Sequence, residues 1–194
     1  MAEIILASQS PRRQELMSAI APGFRVVVSQ ADESLAPGTP PGEAVEELAL
    51  RKAGAVLASA PAGEDWVVIG ADTVVAIDGR ILGKPRDRED CLKMLALLSG
   101  REHVVYTGVA LLRGEQKRVF REEARVEFWP LTPKERHWYA GTPEPYDKAG
   151  GYGIQGLGAV LVRGIVGDYF TVMGLPVARL WRELRDFVPG YFPL

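Results

Sequence analysis

The sequence predicts an α/β fold with a mixed twisted sheet and flanking helices, because strand-like apolar runs alternate along it with segments of helical periodicity. Residues 4–7 are apolar and lead directly into a helix start, and the amphipathic segment 43–60 precedes a long apolar run at 66–77. The 194 residues suffice for one well-cored domain, or for two small lobes that share a cleft. No repeat or linker divides the chain, so we expect a single domain over residues 1–194.

Composition narrows the classes of function. A net charge of −2 argues against broad nucleic-acid binding, and no apolar run approaches the roughly 18 residues that cross a membrane. The N-terminus lacks the features of a signal peptide, so we expect a cytoplasmic protein with neither a nucleic-acid nor a membrane partner. One cysteine and two distant histidines exclude a disulfide framework and a cysteine- or histidine-rich metal site. Any metal would be a hard ion held by oxygens.

The first strand runs straight into a helix whose start carries unusual charge. Ser10 is placed as the N-cap and Pro11 as the first helical residue. Arg12 and Arg13 then fall in the first turn, where the helix already carries about +0.5 charge. Free backbone N–H groups, the Ser8 and Ser10 hydroxyls and two guanidinium groups could together bind a phosphate chain. The alternative is an ordinary helix with two solvated arginines.

A second strand is predicted at 24–28, followed by a loop rich in proline and glycine at 37–42. Between them lie Asp32 and Glu33. These carboxylates are either solvated loop charges or oxygen ligands at a cleft.

The segment 43–60 predicts a helix with one apolar face. That face consists of Val45, Leu48, Ala49, Ala53 and Val56. Lys52 interrupts it, because it lies four residues from both Leu48 and Val56, so its stem must run along the buried face. Its ammonium group either reaches solvent past its neighbours or projects into a cleft as a phosphate contact.

The most apolar stretch, residues 66–77, contains a carboxylate at Asp72. A buried ionised carboxylate is costly unless it is paired, hydrogen-bonded or bound to a metal. We expect Gly70 to break the strand and turn Asp72 into a cleft. Asp78 and Gly79 then predict a hairpin that brings Lys84 back near Asp72. That lysine is either part of a phosphoryl site or one half of a structural ion pair.

The following segments predict the rest of the fold. The pattern indicates a helix at 87–98, strands at 104–112 and 118–129, a short helix after Thr132, and a final helix with the apolar stripe Val177, Leu180, Trp181 and Leu184. Cys91 lies on an apolar helix stripe, which favours a core residue over a nucleophile. His103 and His137 lack spaced partners, so a Ser-His-Asp triad finds no support.

Glycines at 151, 153 and 156 form a literal Gly-x-Gly-x-x-Gly pattern. The dinucleotide fingerprint follows a strand and opens a helix. Here the pattern follows a proline-rich loop and precedes the strand-like run 157–162, so a Rossmann site is not expected. Such a loop still lets backbone approach a ligand, with Asp147, Lys148 and Gln155 available at its edges.

Several of these unusual stretches coincide with the motifs of one family. Residues 6–13, 70–75, 83–85, 147–156 and 174–176 resemble the Maf nucleotide pyrophosphatases in order and spacing, and the resemblance covers almost the whole chain. It implies a metal-dependent hydrolase that cleaves a nucleoside triphosphate between the α and β phosphates, giving a monophosphate and diphosphate. It also implies a fold similar to the inosine triphosphate pyrophosphatases, with two lobes around a central cleft.

The resemblance assigns roles to individual residues. Asp72 would be the general base or a ligand of Mg²⁺ or Mn²⁺, with Glu33 as a second oxygen ligand. The phosphate chain would be bound by Ser8, Arg12, Arg13, Lys52 and Lys84. Thr73 and Gln155 would contact a pyrimidine base.

The same resemblance points to a branch of the family. Arg12, Thr73 and Gln155 match the branch that acts on dTTP and UTP, whereas the branch acting on 7-methyl-GTP typically has tryptophan, glutamine and glutamate there. The expected role is nucleotide-pool house-cleaning, and a homodimer is plausible by analogy. One alternative is a non-catalytic nucleotide-binding regulator of cell division, which has no use for Asp72 in an apolar run. The other is a purine or 7-methyl-GTP pyrophosphatase, which needs a different base pocket.

Overall fold

The structure, a computed structural model, describes residues 2–61 and 65–192. These residues form two compact units. The first unit comprises the described residues of 1–72, 107–122 and 174–194, and the second comprises 73–106 and 123–173. Three long strands, at residues 66–77, 102–113 and 116–128, contribute residues to each unit.

The chain contains strands, α-helices and short 3₁₀ segments in alternation. The strands are β1 (Glu3–Ala7), β2 (Arg25–Val26), β3 (Trp66–Ile77), β4 (Arg80–Leu82), β5 (Glu102–Arg113), β6 (Gln116–Phe128) and β7 (Val162–Gly167). The α-helices are α1 (Pro11–Ile20), α2 (Pro41–Ser59), α3 (Arg88–Leu98), α4 (Pro133–Ala140), α5 (Tyr169–Met173) and α6 (Val177–Phe187). The 3₁₀ segments are Glu144–Asp147, Ala149–Gly151 and Gly156–Leu161. Across the two described ranges, no helix combines the length and the apolar character that crossing a membrane requires.

The sheet is mixed, which confirms the predicted α/β class. The strand order is β2-β1-β3-β5-β6-β7, and β4 pairs with β3. Strand β1 is parallel to both β2 and β3. Strand β4 is antiparallel to β3, and β7 is antiparallel to β6. Seven strands and six α-helices over the described residues agree with the alternation in the sequence.

The first unit is built on the parallel pair β1 and β3, which runs in register from Glu3 opposite Trp66 to Ala7 opposite Gly70. The apolar face predicted for residues 43–60 is confirmed, because all five of its members are buried in α2. Ala49, Ala53 and Val56 of that face share a core with Ile5, Ala7, Trp66, Val68, Ala110 and Leu112.

The predicted strand break at Gly70 is wrong, because β3 is continuous from Trp66 to Ile77. Gly70 has a different purpose. A Cβ atom at this position would lie 2.2 Å from the Ala49 carbonyl oxygen and 2.8 Å from the Ala53 nitrogen. Glycine is therefore required because the backbone of α2 packs directly on β3.

The second unit contains the predicted hairpin between β3 and β4. Asp78 and Gly79 both have positive φ, 51° and 73°, which a tight two-residue turn between antiparallel strands requires. The core of this unit collects the apolar faces of α3, α4 and the neighbouring strands, and includes Cys91, Leu95, Leu98, Phe128 and Tyr139. Asp87 caps α3, and Thr132 with Glu135 forms the predicted capping box of α4.

Two predicted strands differ from the structure. The strand expected at 24–28 is reduced to Arg25–Val26, whose side chains are exposed, so little apolar burial stabilises a longer strand. The strand-like run at 157–162 is a 3₁₀ segment up to Leu161, and strand begins only at Val162. The reason is a carboxylate, that of Glu144, which accepts hydrogen bonds from the N–H groups of Leu157 and Gly158.

Candidate functional site

The nine predicted site residues divide between the two units. Ser8, Arg12, Arg13, Glu33, Lys52 and Asp72 lie in the first unit and are called the charged cluster below. Thr73, Lys84 and Gln155 lie in the second unit.

Asp72 is placed by the parallel pair β1 and β3. Because these strands run in the same direction and Ala7 lies opposite Gly70, Ser8, the first residue after β1, lies beside the part of β3 that contains Asp72. Side chains alternate along a strand, so Asp72 lies on the same face as Gly70, the face on which α2 packs. Asp72 is only 8% exposed. The buried carboxylate therefore needs a partner from α2.

That partner is Lys52. Its Nζ lies 2.6 Å from Asp72 Oδ1 and 3.2 Å from Glu33 Oε1, and its side chain is 12% exposed. The close packing at Gly70 brings α2 near enough for this contact. Of the two alternatives for Lys52, the structure excludes a solvated ammonium group, because two carboxylates converge on it.

The start of α1 has the predicted cap. The Ser10 hydroxyl accepts a hydrogen bond from the Arg13 backbone nitrogen at 3.5 Å, and Pro11 is the first helical residue. The buried Ser8 hydroxyl accepts from the Ser10 nitrogen at 3.2 Å. No acidic residue lies in the first turn, so this helix start is positively charged through Arg12 and Arg13.

Arg13 is held in place by a distant residue. Its Nε donates to the Gly174 carbonyl oxygen at 2.8 Å. Burial lowers the pKa of Arg13, and the nearby charges of Asp72 and Glu33 act in the opposite direction. Gly174 itself has a φ of 112°, a conformation that favours glycine. The segment 174–176 was a motif of the family resemblance, but the sequence pattern did not indicate its contact with Arg13.

The charged cluster contains two carboxylates, those of Asp72 and Glu33, as candidate metal ligands. Over the residues that the structure describes, no group of three or more His, Cys, Asp or Glu side chains could hold a metal ion. Two carboxylates, from Asp72 and Glu33, do converge on one position, which the positive Nζ of Lys52 occupies. Oxygen donors from one or two carboxylates suit Mg²⁺ in phosphate-processing sites. The donor set is therefore limited to two carboxylates, whose oxygen atoms are of the kind that a hard divalent cation prefers.

In the second unit, two motifs pack together. The Gly150 nitrogen donates to the Gly83 carbonyl oxygen at 3.0 Å, and a Cβ at Gly151 would lie 2.9 Å from Pro85 Cγ. The exposed Lys84 therefore lies in a segment fixed against the glycine-rich loop. Thr73 is partly buried in β3.

Gln155 lies in that loop and is partly buried. Two other residues at the edge of the loop, Asp147 and Lys148, form hydrogen bonds within the loop segment. Lys148 Nζ donates to Asp147 Oδ1 and to the Glu144 carbonyl oxygen, both at 2.6 Å. Lys148 thus stabilises the loop rather than presenting a free ammonium group.

The sequence pattern did not indicate Glu144, which accepts hydrogen bonds from the loop backbone. An acidic residue flanked by Pro143 and Pro145 in a glycine-rich segment was the available signal. Only its contacts with residues 13 and 14 positions further along the chain reveal its purpose.

Two side chains of the second unit that could be reactive, Cys91 and His103, are buried. Cys91 is fully buried, which confirms the predicted core position, and burial raises the pKa of its thiol to about 11. His103 is 2% exposed, and its Nε2 lies 2.7 Å from the Tyr152 hydroxyl. Burial lowers the pKa of His103 to about 4. Both groups are therefore neutral at physiological pH.

Known proteins resemble this chain over nearly its full length. The family model described as Maf-like protein matches residues 3–187. A dTTP/UTP pyrophosphatase of Bacillus cytotoxicus is 51% identical over 190 residues, 98% of each chain. Proteins of the same name from Bacillus cereus and Bacillus velezensis are 49% and 50% identical, and each alignment covers at least 95% of both chains.

Among solved structures, the Staphylococcus aureus Ham1 protein is similar with a TM-score of 0.49 and 19% identity, covering 82% of this chain and 79% of that protein. The family itself follows from the model match and from the sequence relatives, which agree over the same residues. This chain belongs to the Maf family.

Proposed function

We propose that this protein is a nucleoside triphosphate pyrophosphatase that hydrolyses dTTP and UTP to the monophosphate and diphosphate, in nucleotide-pool house-cleaning. The observation that carries the proposal is the buried Asp72, paired with Lys52 beside the arginine-rich start of α1. Relatives about 50% identical over the whole chain bear the name of this activity.

The charged cluster supplies the positive charge that a triphosphate needs. Arg12 and Arg13 lie at the N-terminal turn of α1, where free backbone N–H groups also favour an anion. Guanidinium groups bind phosphate oxygens through paired donors, and the Nε contact to Gly174 orients Arg13 for this. Ser8, Lys52 and Lys84 complete the proposed phosphate contacts. These groups stabilise the diphosphate as negative charge builds on it.

Asp72 is proposed to act on the attacking water. In hydrolysis the water oxygen bonds to the α phosphorus, the bond from that phosphorus to the α–β bridging oxygen breaks, and the diphosphate leaves with that oxygen. The water must lose a proton, and the buried carboxylate of Asp72 is proposed to accept it. The ion pair with Lys52 fixes the position of this carboxylate.

Asp72 and Glu33 are also the residues that would hold a divalent cation, Mg²⁺ or Mn²⁺. Such a cation supplies charge neutralisation on phosphate oxygens when it is bound. When no cation is bound, Lys52 contacts both carboxylates and limits their mutual repulsion.

Base selection is assigned to Gln155 and Thr73. Uracil and thymine each present an imide N–H flanked by carbonyl oxygens. A carboxamide offers a matching acceptor and donor, and a hydroxyl can act as either. The cytoplasmic location and the homodimer remain predictions.

The test is a substrate panel with the purified protein. Diphosphate and monophosphate release is followed with Mg²⁺ or Mn²⁺ and dTTP, UTP, CTP, ITP or 7-methyl-GTP, with a chelator as control. Faster release from dTTP and UTP, lost with the chelator, supports the proposal. Faster hydrolysis of a triphosphate with another base would support the pyrophosphatase reaction but contradict the proposed selectivity for dTTP and UTP. Nucleotide binding without turnover with either metal would instead support the non-catalytic regulator.

A further inference from the structure

The loop that carries Gln155 is held at both ends by two side chains with no part in the proposed chemistry. Glu144 Oε1 accepts from the Tyr139 hydroxyl at 2.9 Å and from the Gly158 nitrogen at 2.9 Å. Glu144 Oε2 accepts from the Leu157 nitrogen at 2.8 Å. The Tyr139 hydroxyl in turn accepts from the Gly153 nitrogen at 3.0 Å. We call Tyr139 and Glu144, with these contacts, the loop clamp.

The clamp is itself anchored in the core of the second unit. Tyr139 lies on α4 and is fully buried. Burial raises the pKa of Tyr139 far above its ordinary value, so the hydroxyl keeps the proton that it donates to Glu144. Lys148 Nζ donates to the Glu144 carbonyl oxygen, which fixes the backbone from which the carboxylate extends.

The glycines of the loop fit the clamp closely. A Cβ at Gly156 would lie 2.6 Å from Glu144 Oε2, and one at Gly158 would lie 2.3 Å from the Gly153 carbonyl oxygen and 2.7 Å from the Tyr139 hydroxyl. Gly156 also has a φ of 69°. The Gly-x-Gly-x-x-Gly pattern is therefore explained in part by side-chain clamping of a loop, without a dinucleotide.

Gln155 lies between the two fixed points. Gly153 is held two residues before it, and Leu157 is held two residues after it. Such short tethers restrict the backbone of Gln155, so the orientation of its carboxamide depends mainly on its own rotamers. Preorganised polar groups lose less entropy when they bind a ligand.

We propose that Tyr139 and Glu144 are positioning residues for base selection, acting through the backbone of Gln155. This inference rests on the proposed function, in which Gln155 contacts the pyrimidine. The clamp itself touches no substrate. Its loss should therefore weaken discrimination between bases more than it slows the chemical step.

The experiment measures kcat and KM for UTP and CTP with wild type, Glu144→Gln, Glu144→Ala and Tyr139→Phe. Glu144→Gln keeps the size of the side chain but replaces one acceptor oxygen by an NH₂ group, which cannot accept from a backbone N–H. We expect the ratio of kcat/KM for UTP to that for CTP to fall roughly 10-fold in Glu144→Ala, mainly through a higher KM for UTP. Tyr139→Phe and Glu144→Gln should show intermediate losses.

Glu135→Ala is the matched control. Its carboxylate also accepts from a backbone N–H at a segment start in the same unit, that of Thr132, but it caps α4 and does not contact the loop. It should lower thermal stability while leaving the UTP to CTP ratio unchanged. Equal losses for both bases in Glu144→Ala, as in a merely destabilised protein, would overturn the inference.

Gln155→Ala in the wild-type and Glu144→Ala backgrounds separates the two possible failures. If Gln155→Ala lowers selectivity in wild type but adds little in Glu144→Ala, the two residues are coupled as proposed. If Gln155→Ala has no effect on selectivity in wild type, the base-contact role in the proposed function is wrong. If Gln155→Ala lowers selectivity and Glu144→Ala does not, the clamp inference alone is wrong.

Discussion

Asp72 in the first unit is buried and Glu144 in the second is half-buried, and the two carboxylates are held by different donors. Asp72 is paired with the ammonium group of Lys52, at the end of a long side chain. Glu144 accepts from two backbone N–H groups and from a fully buried tyrosine. Backbone donors cannot move without refolding the loop, whereas a lysine can turn to a new partner. A carboxylate held by backbone is suited to structure, and one held by a lysine is suited to exchange with a ligand.

The glycines of the two regions show the same difference. Gly70 lets the backbone of α2 approach β3, and this delivers Lys52 to Asp72. Gly156 and Gly158 make room for the side chains of Glu144 and Tyr139, which fix the loop. In each region glycine permits a contact, but only in the first does the contact join two charged groups.

The largest effect should follow Asp72→Asn. Loss of the proton acceptor is expected to lower kcat by roughly 10²- to 10⁴-fold. The carboxamide oxygen can still accept from Lys52, so the fold should persist, but the loss of an opposite charge beside this largely buried ammonium group should lower the free energy of unfolding. Asp78→Asn is the matched control, because Asp78 is exposed in the hairpin turn and asparagine tolerates its φ of 51°. Near-normal turnover in Asp72→Asn would remove the basis for the contrast between Asp72 and Glu144.

The second effect concerns acid stability of the second unit. The pKa of His103 is about 4 in the folded protein, against an ordinary value of 6.5. Between these values the unfolded chain binds a proton that the folded protein excludes, so stability falls as pH drops from 6.5 to 4. The loss is expected to reach about 3 kcal/mol.

Chemical unfolding at several pH values checks this dependence. The control is the double variant His103→Phe with Tyr152→Phe, which removes both partners of the buried contact together. The stability of the double variant should fall less over the same pH range, because it lacks the contribution of His103. The carboxylates of the chain titrate in both proteins, so their contribution cancels in the comparison. Identical curves for the two proteins would show that His103 does not control the acid response.

Gly70→Ala tests the packing that builds the charged cluster. The new Cβ meets the backbone of α2, so we expect a loss of roughly 1–3 kcal/mol in the free energy of unfolding and a lower kcat from displaced Lys52. Gly54→Ala is the control. Gly54 lies in α2, where an added Cβ meets nothing within 4 Å, so this variant should stabilise the protein slightly. Equal stability of the two variants would contradict the close packing at Gly70.

The smallest effect should follow Glu33→Gln. The Glu33 side chain is 63% exposed, so its pair with Lys52 contributes less than about 1 kcal/mol to stability. If Glu33 is a metal ligand, the Mg²⁺ concentration for half-maximal rate should rise several-fold while the melting temperature stays constant. An unchanged Mg²⁺ dependence would leave Asp72 as the proposed protein ligand without Glu33.

Local sequence signals determined much of the fold. The cap at Ser10 and Pro11, the hairpin at Asp78 and Gly79, and the capping box of Thr132 with Glu135 were all predicted and are all present. Each depends on residues no more than three positions apart, so the sequence alone contains the interacting groups. The buried face of α2 was predicted for the same reason, because helical periodicity is a local property.

The sequence also singled out the residues of the candidate site but left their partners open. Asp72 was recognised as a costly charge in an apolar run, and Lys52 as an interruption of an apolar face. Their contact depends on the packing of α2 on β3 across 20 residues, which a local pattern does not specify.

Only the tertiary structure decided three further points. Gly70 accommodates a helix instead of breaking a strand, residues 156–161 form a 3₁₀ segment instead of a strand, and Glu144 fixes the loop that carries Gln155. In each case the deciding contact joins residues distant in the sequence. The physical reason is that local propensities differ by about 1 kcal/mol or less, so one steric clash or one set of backbone hydrogen bonds outweighs them.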